Sequence, residues 1–179
     1  MQHEIQILDK KAALYLSAEE INETVEKIAR DLKPRLTGKD LVFLVVLNGA
    51  YVFAADLLRK INMDCRVSFV KLASYSGEKS TGEVKEILGV NEDLAGKMVI
   101  IVEDIIDTGN TLVHLVNEVK KKKPAEVKIV ALLFKESVYD KELAIDYAGK
   151  TIPDRFVIGY GMDYNGYGRN LKEIYQVIH

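Results

Sequence analysis

Apolar residues follow two patterns along this chain, one typical of helices and one typical of buried strands. A capping box of Ser17 and Glu20, followed by apolar residues three or four positions apart, predicts a first helix that runs to about Lys33 and ends before Pro34. The next run, Leu41–Leu47 (LVFLVVL), is apolar throughout, which is typical of a strand covered on both faces, as in parallel sheets. The pattern thus predicts an amphipathic helix followed by a strand buried within a sheet.

Helical and strand patterns then alternate along the rest of the chain. Amphipathic spacing predicts helices over residues 51–61 and 111–123. Apolar runs predict strands over residues 65–72, 98–102, 127–134 and 156–160. This alternation indicates an α/β fold with a parallel sheet.

One polar stretch interrupts the alternation. Residues 74–87 (SYSGEKSTGEVKEI) contain two glycines and are long for a connector within a compact domain. The stretch fits a mobile lid over a binding site and equally fits a solvated hairpin, and the sequence leaves both open.

Composition and charge narrow the class of protein. The chain has 179 residues, of which 48% are hydrophobic and 29% charged, so we expect one globular domain with a core of its own. A net charge of −2 gives no reason to expect a nucleic acid or an anionic membrane as a partner. Because the chain has a single cysteine, Cys65, no signal-peptide core and no apolar run of membrane-spanning length, we expect a cytoplasmic protein.

The most informative segment is residues 98–112 (MVIIVEDIIDTGNTL), in which an apolar run acquires three acids, Glu103, Asp104 and Asp107. Burying carboxylates without partners is costly, so these acids indicate a buried strand that ends at the surface. A loop and a helix follow, and open α/β sheets bind ligands at the carboxyl ends of their strands. Gly109 and the first free amides of that helix would suit a phosphate.

A phosphate at this point would be repelled by the three carboxylates, at roughly 1 to 4 kcal/mol per pair at about 4 Å. A sugar diol can donate hydrogen bonds to carboxylates, and Mg²⁺ can bridge carboxylate and phosphate oxygens. A 5-phosphorylated ribose with Mg²⁺ meets both requirements. The chain lacks the G-x-x-x-x-G-K-[ST] and G-x-G-x-x-G patterns of nucleoside triphosphate and dinucleotide sites, while a capping or surface role for the acids stays open.

Within this segment, VIIVEDIIDTGNTL resembles the phosphoribosyl-diphosphate motif of type I phosphoribosyltransferases, in which two acids leave a buried strand and a D-T-G-x-T loop follows. SYSGEKSTGEVKEI, LLFKE and PDRFVIGYGMDYNGYGRNL, in this order, extend the resemblance to the hypoxanthine-guanine phosphoribosyltransferases over residues 10–178. The resemblance implies an α/β fold of the type I phosphoribosyltransferase class, with a central parallel sheet flanked by helices and a small hood built from the N- and C-terminal segments. It also implies a single domain over residues 1–179, with a core of about 35–150 and a hood from about 1–16 and 151–179.

The resemblance assigns roles to the acids and to the loop that follows them. Glu103 and Asp104 would lie beside the ribose hydroxyls and help to bind Mg²⁺. Asp107 would accept the N7 proton of a purine while N9 attacks C1′. The 5′-phosphate would be held by Asp107 together with Thr108, Gly109, Asn110 and Thr111.

The resemblance places the purine pocket near the C-terminus. Lys135 would donate to the 6-oxo group, and Phe156 would stack on the base. Main-chain groups of Val157 and Asp163 would read the edge of the base. Asp163 would also help to ligate a second Mg²⁺, and Arg169 would hold pyrophosphate through its forked donors. From the residues alone, Lys135 would be interpreted as a surface lysine and Phe156 as a core aromatic.

Two further segments gain roles by the same resemblance. Asn48 and Gly49 would contact pyrophosphate, although many relatives carry Lys in place of Asn48, so this chain lacks that charge. Ser74 and Tyr75 would belong to a mobile lid that excludes water from the reaction.

The implied activity is Mg²⁺-dependent transfer of the 5-phosphoribosyl group from phosphoribosyl diphosphate to hypoxanthine or guanine, which gives IMP or GMP and pyrophosphate in purine salvage. The alternatives are a xanthine-preferring transferase and a catalytically weak regulatory protein that binds phosphoribosyl ligands. A phosphotransferase of the haloacid dehalogenase kind uses D-x-D, which the Asp104-x-x-Asp107 spacing does not match. The resemblance also implies a homo-oligomer, either a dimer or a tetramer.

Overall fold

The secondary structure is that of a computed structural model, which describes residues 4–74, 84–90 and 92–178, with residues 73, 74 and 84–88 described by their backbone alone. The strands are β1 (Glu4–Ile7), β2 (Lys10–Leu16), β3 (Leu41–Leu47), β4 (Arg66–Ser74), β5 (Val84–Leu88), β6 (Met98–Ile106), β7 (Glu126–Phe134), β8 (Tyr147–Thr151), β9 (Val157–Ile158) and β10 (Ile174–Ile178). The helices are α1 (Ala18–Leu36), α2 (Tyr51–Ile61) and α3 (Asn110–Lys121), with a short 3-10 helix at Glu136–Val138.

The described residues form a larger and a smaller β-sheet. The larger sheet has six strands in the order β5-β4-β3-β6-β7-β8, and neighbouring strands are parallel except for β5, which is antiparallel to β4. The smaller sheet has four antiparallel strands in the order β1-β2-β10-β9, so both ends of the chain contribute to it. We refer to β1, β2 and residues 152–178 as the hood. The predicted α/β fold with a central parallel sheet and a hood is confirmed, while the domain boundaries at about residues 35 and 150 stay a prediction.

Helices cover both faces of the larger sheet. Alternate residues of β3 enter different cores, because successive side chains of a strand point to opposite faces. Phe43 packs in one core with Phe53 and Leu57 of α2, whereas Leu44 packs in the other with Leu115 of α3. This two-sided burial is the physical reason for the unbroken apolar run in β3. Among the residues that the structure describes, no helix combines the length and apolar character needed to cross a lipid bilayer.

Helix α1 continues past its predicted end at Lys33. Pro34 lies in the last turn of the helix, where a proline removes one main-chain donor. Leu36, beyond the proline, is fully buried and continues the apolar stripe that contains Leu32. Burying a leucine contributes about 1.5–3 kcal/mol, which offsets the lost hydrogen bond.

Strand β6 also continues past its predicted end at residue 102. Glu103 pairs with Ala131 within the sheet, and the pairing with β7 extends to Ile106 opposite Phe134. Ile106 is buried, so the apolar side chains after the acids keep the strand in the sheet. Glu103 and Asp104 therefore lie within β6 rather than beyond its end.

The prediction of a strand over residues 156–160 in the parallel sheet is wrong, both in the length of the strand and in the sheet to which it belongs. It is the short strand β9, which pairs with β10 in the hood, and Gly159 follows it at a φ of 110°. The position beside β7 is occupied by β8, whose sequence YAGKT has no apolar run that would have predicted it.

The polar stretch over residues 74–87 includes part of a strand. Ser74, the last residue of β4, pairs with Val84, the first residue of β5. Tyr75 and the residues up to 83 lie outside the described residues, so the predicted lid stays a prediction.

Candidate active site

The predicted phosphate loop lies between β6 and α3. Gly109 in this loop has a φ of 79°, a left-handed conformation that favours glycine. Glycine is also required sterically, because a Cβ at this position would lie 2.4 Å from Cε2 of Tyr139. Helix α3 begins at Asn110, one residue before its predicted start. The loop therefore delivers the chain into the helix through a turn that a larger residue would distort.

A cavity of about 200 Å³ lies at this loop, and we refer to it as the phosphate-loop cavity. It is lined by Glu103, Ile105, Ile106, Asp107, Thr108, Gly109, Asn110, Thr111 and Leu112. The first four N–H groups of a helix have no intrahelical partner, so those of α3 are available to an anion in this cavity. The structure thus brings the predicted phosphate-binding residues together around one space.

Glu103 and Asp104 face different cavities. Glu103 lines the phosphate-loop cavity, whereas Asp104 lines a second cavity beneath the hood. Burial raises the pKa of Glu103 well above its usual value, and the charge of Asp104 raises it further. Burial also raises the pKa of Asp104, although main-chain hydrogen bonds and the charge of Arg169 partly offset this effect. A bound cation or hydrogen-bond donor would therefore stabilise the charged form of both carboxyls.

The loop between β3 and α2 passes directly against Asp104. A Cβ on Gly49 would lie 1.7 Å from Oδ2 of Asp104, so a larger residue would displace that carboxyl. The preceding peptide bond, between Leu47 and Asn48, is cis. Gly161 of the hood approaches the same loop, since a Cβ on Gly161 would lie 2.0 Å from the carbonyl oxygen of Gly49. Glycines thus allow the β3–α2 loop, β6 and the hood to converge.

The second cavity has a volume of about 290 Å³, and we refer to it as the hood cleft. It is lined by Asn48, Gly49, Asp104, Ile105, Asp107, Lys135, Arg155, Phe156, Val157, Met162, Asp163 and Arg169. The structure therefore gathers the predicted purine-binding and pyrophosphate-binding residues in one cleft. Ile105 and Asp107 line both cavities, so the two spaces share a wall.

Lys135 is a buried lysine in the wall of the hood cleft, with 7% of its surface exposed. Its Nζ donates to Oδ2 of Asp107 at 3.0 Å and to Oδ1 of Asp154 at 2.9 Å. Burial alone would lower the pKa of Lys135, but its hydrogen bonds with Asp154 and Asp107 outweigh burial and raise the pKa. A charged ammonium thus stands beside the predicted base, and the interpretation of Lys135 as a surface lysine is wrong.

Phe156 presents its ring to the hood cleft. The residue is 52% exposed and makes an edge-on contact with Tyr164, with ring centroids 6.0 Å apart and planes at 85°. Its carbonyl accepts a hydrogen bond from the N–H of Val177 at 3.0 Å, which fixes the backbone beneath the ring. The alternative of a core aromatic is wrong for Phe156, whereas its neighbour Val157 is buried.

Asp163 and Arg169 form an ion pair in the hood cleft, with Nη2 of Arg169 2.5 Å from Oδ1 of Asp163. Arg169 also donates from Nη1 to the carbonyl of Gly161 at 2.7 Å. Asp163 accepts a hydrogen bond from the N–H of Gly166 at 2.6 Å. These bonds fix the orientation of a guanidinium at the cleft, where its forked donors suit phosphate oxygens.

The described residues contain no group of three or more histidine, cysteine or carboxylate side chains that could cage a metal ion. Mg²⁺ does not need such a cage, because it usually binds through one or two carboxylates and completes its shell with water and substrate oxygens. Glu103 and Asp104 fit this mode, since burial disfavours their charged forms in the absence of a cation. Asp163 differs from them in that its carboxylate is paired with Arg169.

Sequence reasoning missed Asp154 and Met162 as residues of this region. Asp154 lies between β8 and β9, and its contact with Lys135 depends on β8 pairing with β7. Because β8 has no pattern that predicts it, no signal in the sequence places Asp154 beside Lys135.

A larger cavity, of about 440 Å³, lies between α1, α2 and the hood. Of the predicted site residues that the structure describes, Arg169 alone lines this cavity. Neither the phosphate loop nor the acids of β6 line it. We therefore place the candidate active site in the two smaller spaces that share Asp107.

Known proteins match both the sequence and the fold. The family model for the phosphoribosyl transferase domain matches residues 14–165. The chain is 42% identical over 164 residues to the hypoxanthine-guanine phosphoribosyltransferase of Bos taurus, which covers 86% of this chain and 75% of the relative. It is 35% identical over 174 residues to the enzyme of that name from Aquifex aeolicus, which covers 96% of this chain and 98% of the relative.

Solved structures give the same result. The hypoxanthine-guanine phosphoribosyltransferase of Bacillus anthracis superposes with a TM-score of 0.87 at 37% identity, covering 92% of this chain and 98% of that chain. The resemblance found in the sequence motifs is thereby confirmed, and so is the type I phosphoribosyltransferase fold. The chain belongs to the hypoxanthine-guanine phosphoribosyltransferases, a family built on the phosphoribosyl transferase domain.

Proposed function

We propose that this protein is a purine-salvage enzyme that transfers the 5-phosphoribosyl group from phosphoribosyl diphosphate to hypoxanthine or guanine, with Mg²⁺, giving IMP or GMP and pyrophosphate. The observation that carries the proposal is the wall shared by the phosphate-loop cavity and the hood cleft at Asp107 and Ile105. A ribose at this wall would have its 5′-phosphate on the amides of α3 and its C1′ directed toward the hood cleft. A purine in that cleft would then meet C1′ beside Asp107.

The pairing of Asp107 with Lys135 matches the edge of a 6-oxopurine. O6 and N7 lie side by side on that edge, so one purine can accept from the ammonium and donate its N7 proton to the carboxylate. Asp107 would take this proton as N9 attacks C1′ and pyrophosphate leaves, which keeps the proton count balanced. Adenine presents an amino group in place of O6, and an amino group is a poor partner for an ammonium.

The remaining residues of the hood cleft would hold the base and the leaving group. The exposed ring of Phe156 would stack on the purine. Main-chain groups of Val157 and Asp163 would contact its edge. Arg169 would bind pyrophosphate, with the main chain at Asn48 and Gly49 supplying further contacts. Asn48 has no charge to contribute, so we assign the pyrophosphate interaction mainly to Arg169 and to backbone groups.

We propose that Mg²⁺ is bound by Glu103 and Asp104 together with ribose and pyrophosphate oxygens, and that Asp163 takes part in holding a second ion. The cation would neutralise charge that develops on the leaving pyrophosphate. The carboxyls themselves position the ribose hydroxyls by accepting hydrogen bonds from them. The predicted lid at Ser74 and Tyr75 would exclude water from this site and belongs to the same proposal.

The first experiment is a spectrophotometric assay with phosphoribosyl diphosphate, Mg²⁺ and, separately, hypoxanthine, guanine, xanthine and adenine, repeated with EDTA. We expect turnover of hypoxanthine and guanine that EDTA abolishes. A higher rate with xanthine would replace the proposal by a xanthine-preferring transferase. If no base is turned over, although calorimetry shows that the protein still binds phosphoribosyl diphosphate, the result would support a regulatory ligand-binding protein instead.

We propose further that the protein acts as a homo-oligomer, a dimer or a tetramer. Val67 and Phe69 lie on the same face of β4 and are 40% and 43% exposed, which leaves apolar surface that a second copy would cover. Sedimentation velocity of the purified chain tests this, and a monomer at micromolar concentration would contradict it.

We also propose that the enzyme works in the cytoplasm on small molecules, without nucleic acid or membrane as a partner. The single thiol, Cys65, is free, as expected in a reducing compartment. Fractionation of cells that produce the tagged protein is the measurement that tests this location.

A further inference from the structure

Two carboxylates from different parts of the chain share the ammonium of Lys135. Asp107 comes from the phosphate loop, whereas Asp154 comes from the segment that leads from β8 into the hood. An ammonium has three N–H donors, and among the described residues these two carboxylates accept from it. One donor direction is thus left for a ligand in the hood cleft.

The segment that carries Asp154 is held in place by main-chain hydrogen bonds. Two residues before it, the N–H of Ile152 donates to the carbonyl of Phe134 at 2.8 Å, and Ile152 itself is buried. Two residues after it, the carbonyl of Phe156 accepts from Val177 at 3.0 Å. Pro153 restricts the intervening backbone further. Asp154 therefore presents its carboxylate from a short segment that is anchored on both sides.

The two carboxylates have different fates in the proposed reaction. Asp107 becomes neutral when it takes the N7 proton, so at that moment it no longer balances the charge of Lys135. Asp154 lines neither of the two cavities and takes no part in this proton transfer. If Asp107 were its only partner, Lys135 would lose its ion pair at that moment, and its flexible side chain could move away from the base.

From this geometry we infer that Asp154 is a positioning residue that holds Lys135 at the 6-position of the purine and so determines the preference for 6-oxopurines. The inference rests on the proposed function. It assigns Asp154 no contact with substrate, since the residue acts through the ammonium of Lys135.

The test is Asp154→Asn, which keeps the size of the side chain but removes its charge. We expect the KM for hypoxanthine to rise about tenfold, the scale of one weakened charge-assisted hydrogen bond, with kcat and the KM for phosphoribosyl diphosphate little changed. The inhibition constant of unsubstituted purine, which has no 6-oxo group, should stay the same. The ratio of the inhibition constant of purine to the KM of hypoxanthine, which measures the preference for the 6-oxo group, should therefore fall about tenfold.

A double-mutant cycle separates positioning from a structural role. In a Lys135→Ala background, Asp154→Asn should cause no further loss of hypoxanthine binding, because the residue through which it acts is gone. An unchanged ratio in the single variant, or a full additional loss in the Lys135→Ala background, would overturn the inference.

Asp40→Asn is the matched control. Asp40 forms an ion pair with Arg66 at 2.9 Å and its side chain is 55% exposed, compared with 2.9 Å and 59% for Asp154. It lies just before β3, outside the lining of both cavities, and its variant should match wild type in all the constants. A wild-type protein that turns over no base would overturn the proposed function and this inference together, whereas an active wild type with an unaltered Asp154→Asn would overturn this inference alone.

Discussion

The phosphate loop and the hood cleft meet at Asp107, yet they are built in different ways. The loop is one continuous segment in which strand, turn and helix follow one another, and the first amides of α3 are its candidate donors to a phosphate. The hood cleft is assembled from the β3–α2 loop, β6, the end of β7 and the hood. Its polar groups are mainly side chains held by ion pairs, such as Lys135 with Asp154 and Arg169 with Asp163.

This difference teaches where each half of the site is sensitive. A main-chain site tolerates changes of exposed side chains but fails where a glycine is required by close packing, as at Gly109. A side-chain site depends on partners that keep long, flexible groups in place, so it is sensitive to residues that never touch the substrate. Substitutions at the shared residue, at a packed glycine and at a paired lysine should therefore have different kinetic signatures.

The shared residue should give the largest effect. We expect Asp107→Asn to lower kcat by between about 100- and 10,000-fold, the range of general-base contributions, because the amide cannot accept the N7 proton. Phosphoribosyl diphosphate should still bind, since the loop amides are unchanged, and the amide oxygen can still accept from Lys135. Pre-steady-state assays and calorimetry give the two values. Near-wild-type turnover would remove Asp107 from the role of base.

A packed glycine of the hood cleft, Gly49, should come next. We expect Gly49→Ala to lower kcat/KM for phosphoribosyl diphosphate by about 100-fold, because the new Cβ displaces the carboxyl of Asp104, and a misplacement of about 1 Å can cost that much. The control is Gly38→Ala, where a Cβ meets nothing within 4 Å although the φ is 75°. It should lose some stability but no activity. Equal activity losses in both variants would show that packing against Asp104 is irrelevant.

The sequence predicts the two halves of the site unequally, for the same structural reason. Residues of the phosphate loop are neighbours in the chain, so the acids, the glycine and the helix start can be interpreted together. Lys135 and Phe156 gain roles in the sequence only through the family resemblance, because their proximity is created by the sheet and the hood. Asp154 gains none, since its contact depends on β8, which carries no apolar pattern.

The fold shows the same limit at its boundaries. The long buried strand β3 and helix α2 match their predicted bounds, because each has a strong pattern of its own. Helix α1 and strand β6 both continue beyond their predicted ends. Buried Leu36 extends α1 past a proline, and buried Ile106 extends β6 past two acids. Tertiary burial, which the local sequence does not reveal, decides these ends.

Lys135, which is held by two ion pairs, tests how far the hood cleft depends on its side chains. We expect Lys135→Ala to lower kcat/KM for hypoxanthine by roughly 10- to 100-fold, the cost of a charge-assisted hydrogen bond, and to narrow the preference over adenine. Lys128→Ala is the matched control, because Lys128 lies on β7, the strand that Lys135 directly follows, and also pairs with two carboxylates, those of Asp146 and Glu126. Competition assays with the four bases give the preference. An unaltered preference in Lys135→Ala would contradict the assigned role.

The smallest effect concerns how the hood is attached to the core. The hydroxyl of Tyr160 in the hood donates to Oδ2 of Asp56 on α2 at 2.6 Å, and Tyr160 is buried. We expect Tyr160→Phe to lower the free energy of unfolding at pH 7 by about 1–2 kcal/mol, as measured by urea denaturation. Tyr147→Phe is the control, because Tyr147 packs against the same core and its hydroxyl bonds to no described residue.

The pH dependence of that difference identifies its cause. Burial, and then the hydrogen bond to Asp56, raise the pKa of Tyr160 above its ordinary value of 10.0. A group with a raised pKa contributes its full stability below the unfolded value and loses it as the pH rises, because the unfolded state then releases the proton first. The advantage of wild type over Tyr160→Phe should therefore be constant from pH 7 to about 9 and shrink above about 10, by up to about 1.4 kcal/mol per pH unit. A constant advantage up to pH 11 would contradict the idea that burial and the bond to Asp56 hold the hydroxyl proton of Tyr160 more tightly in the folded state than in the unfolded state.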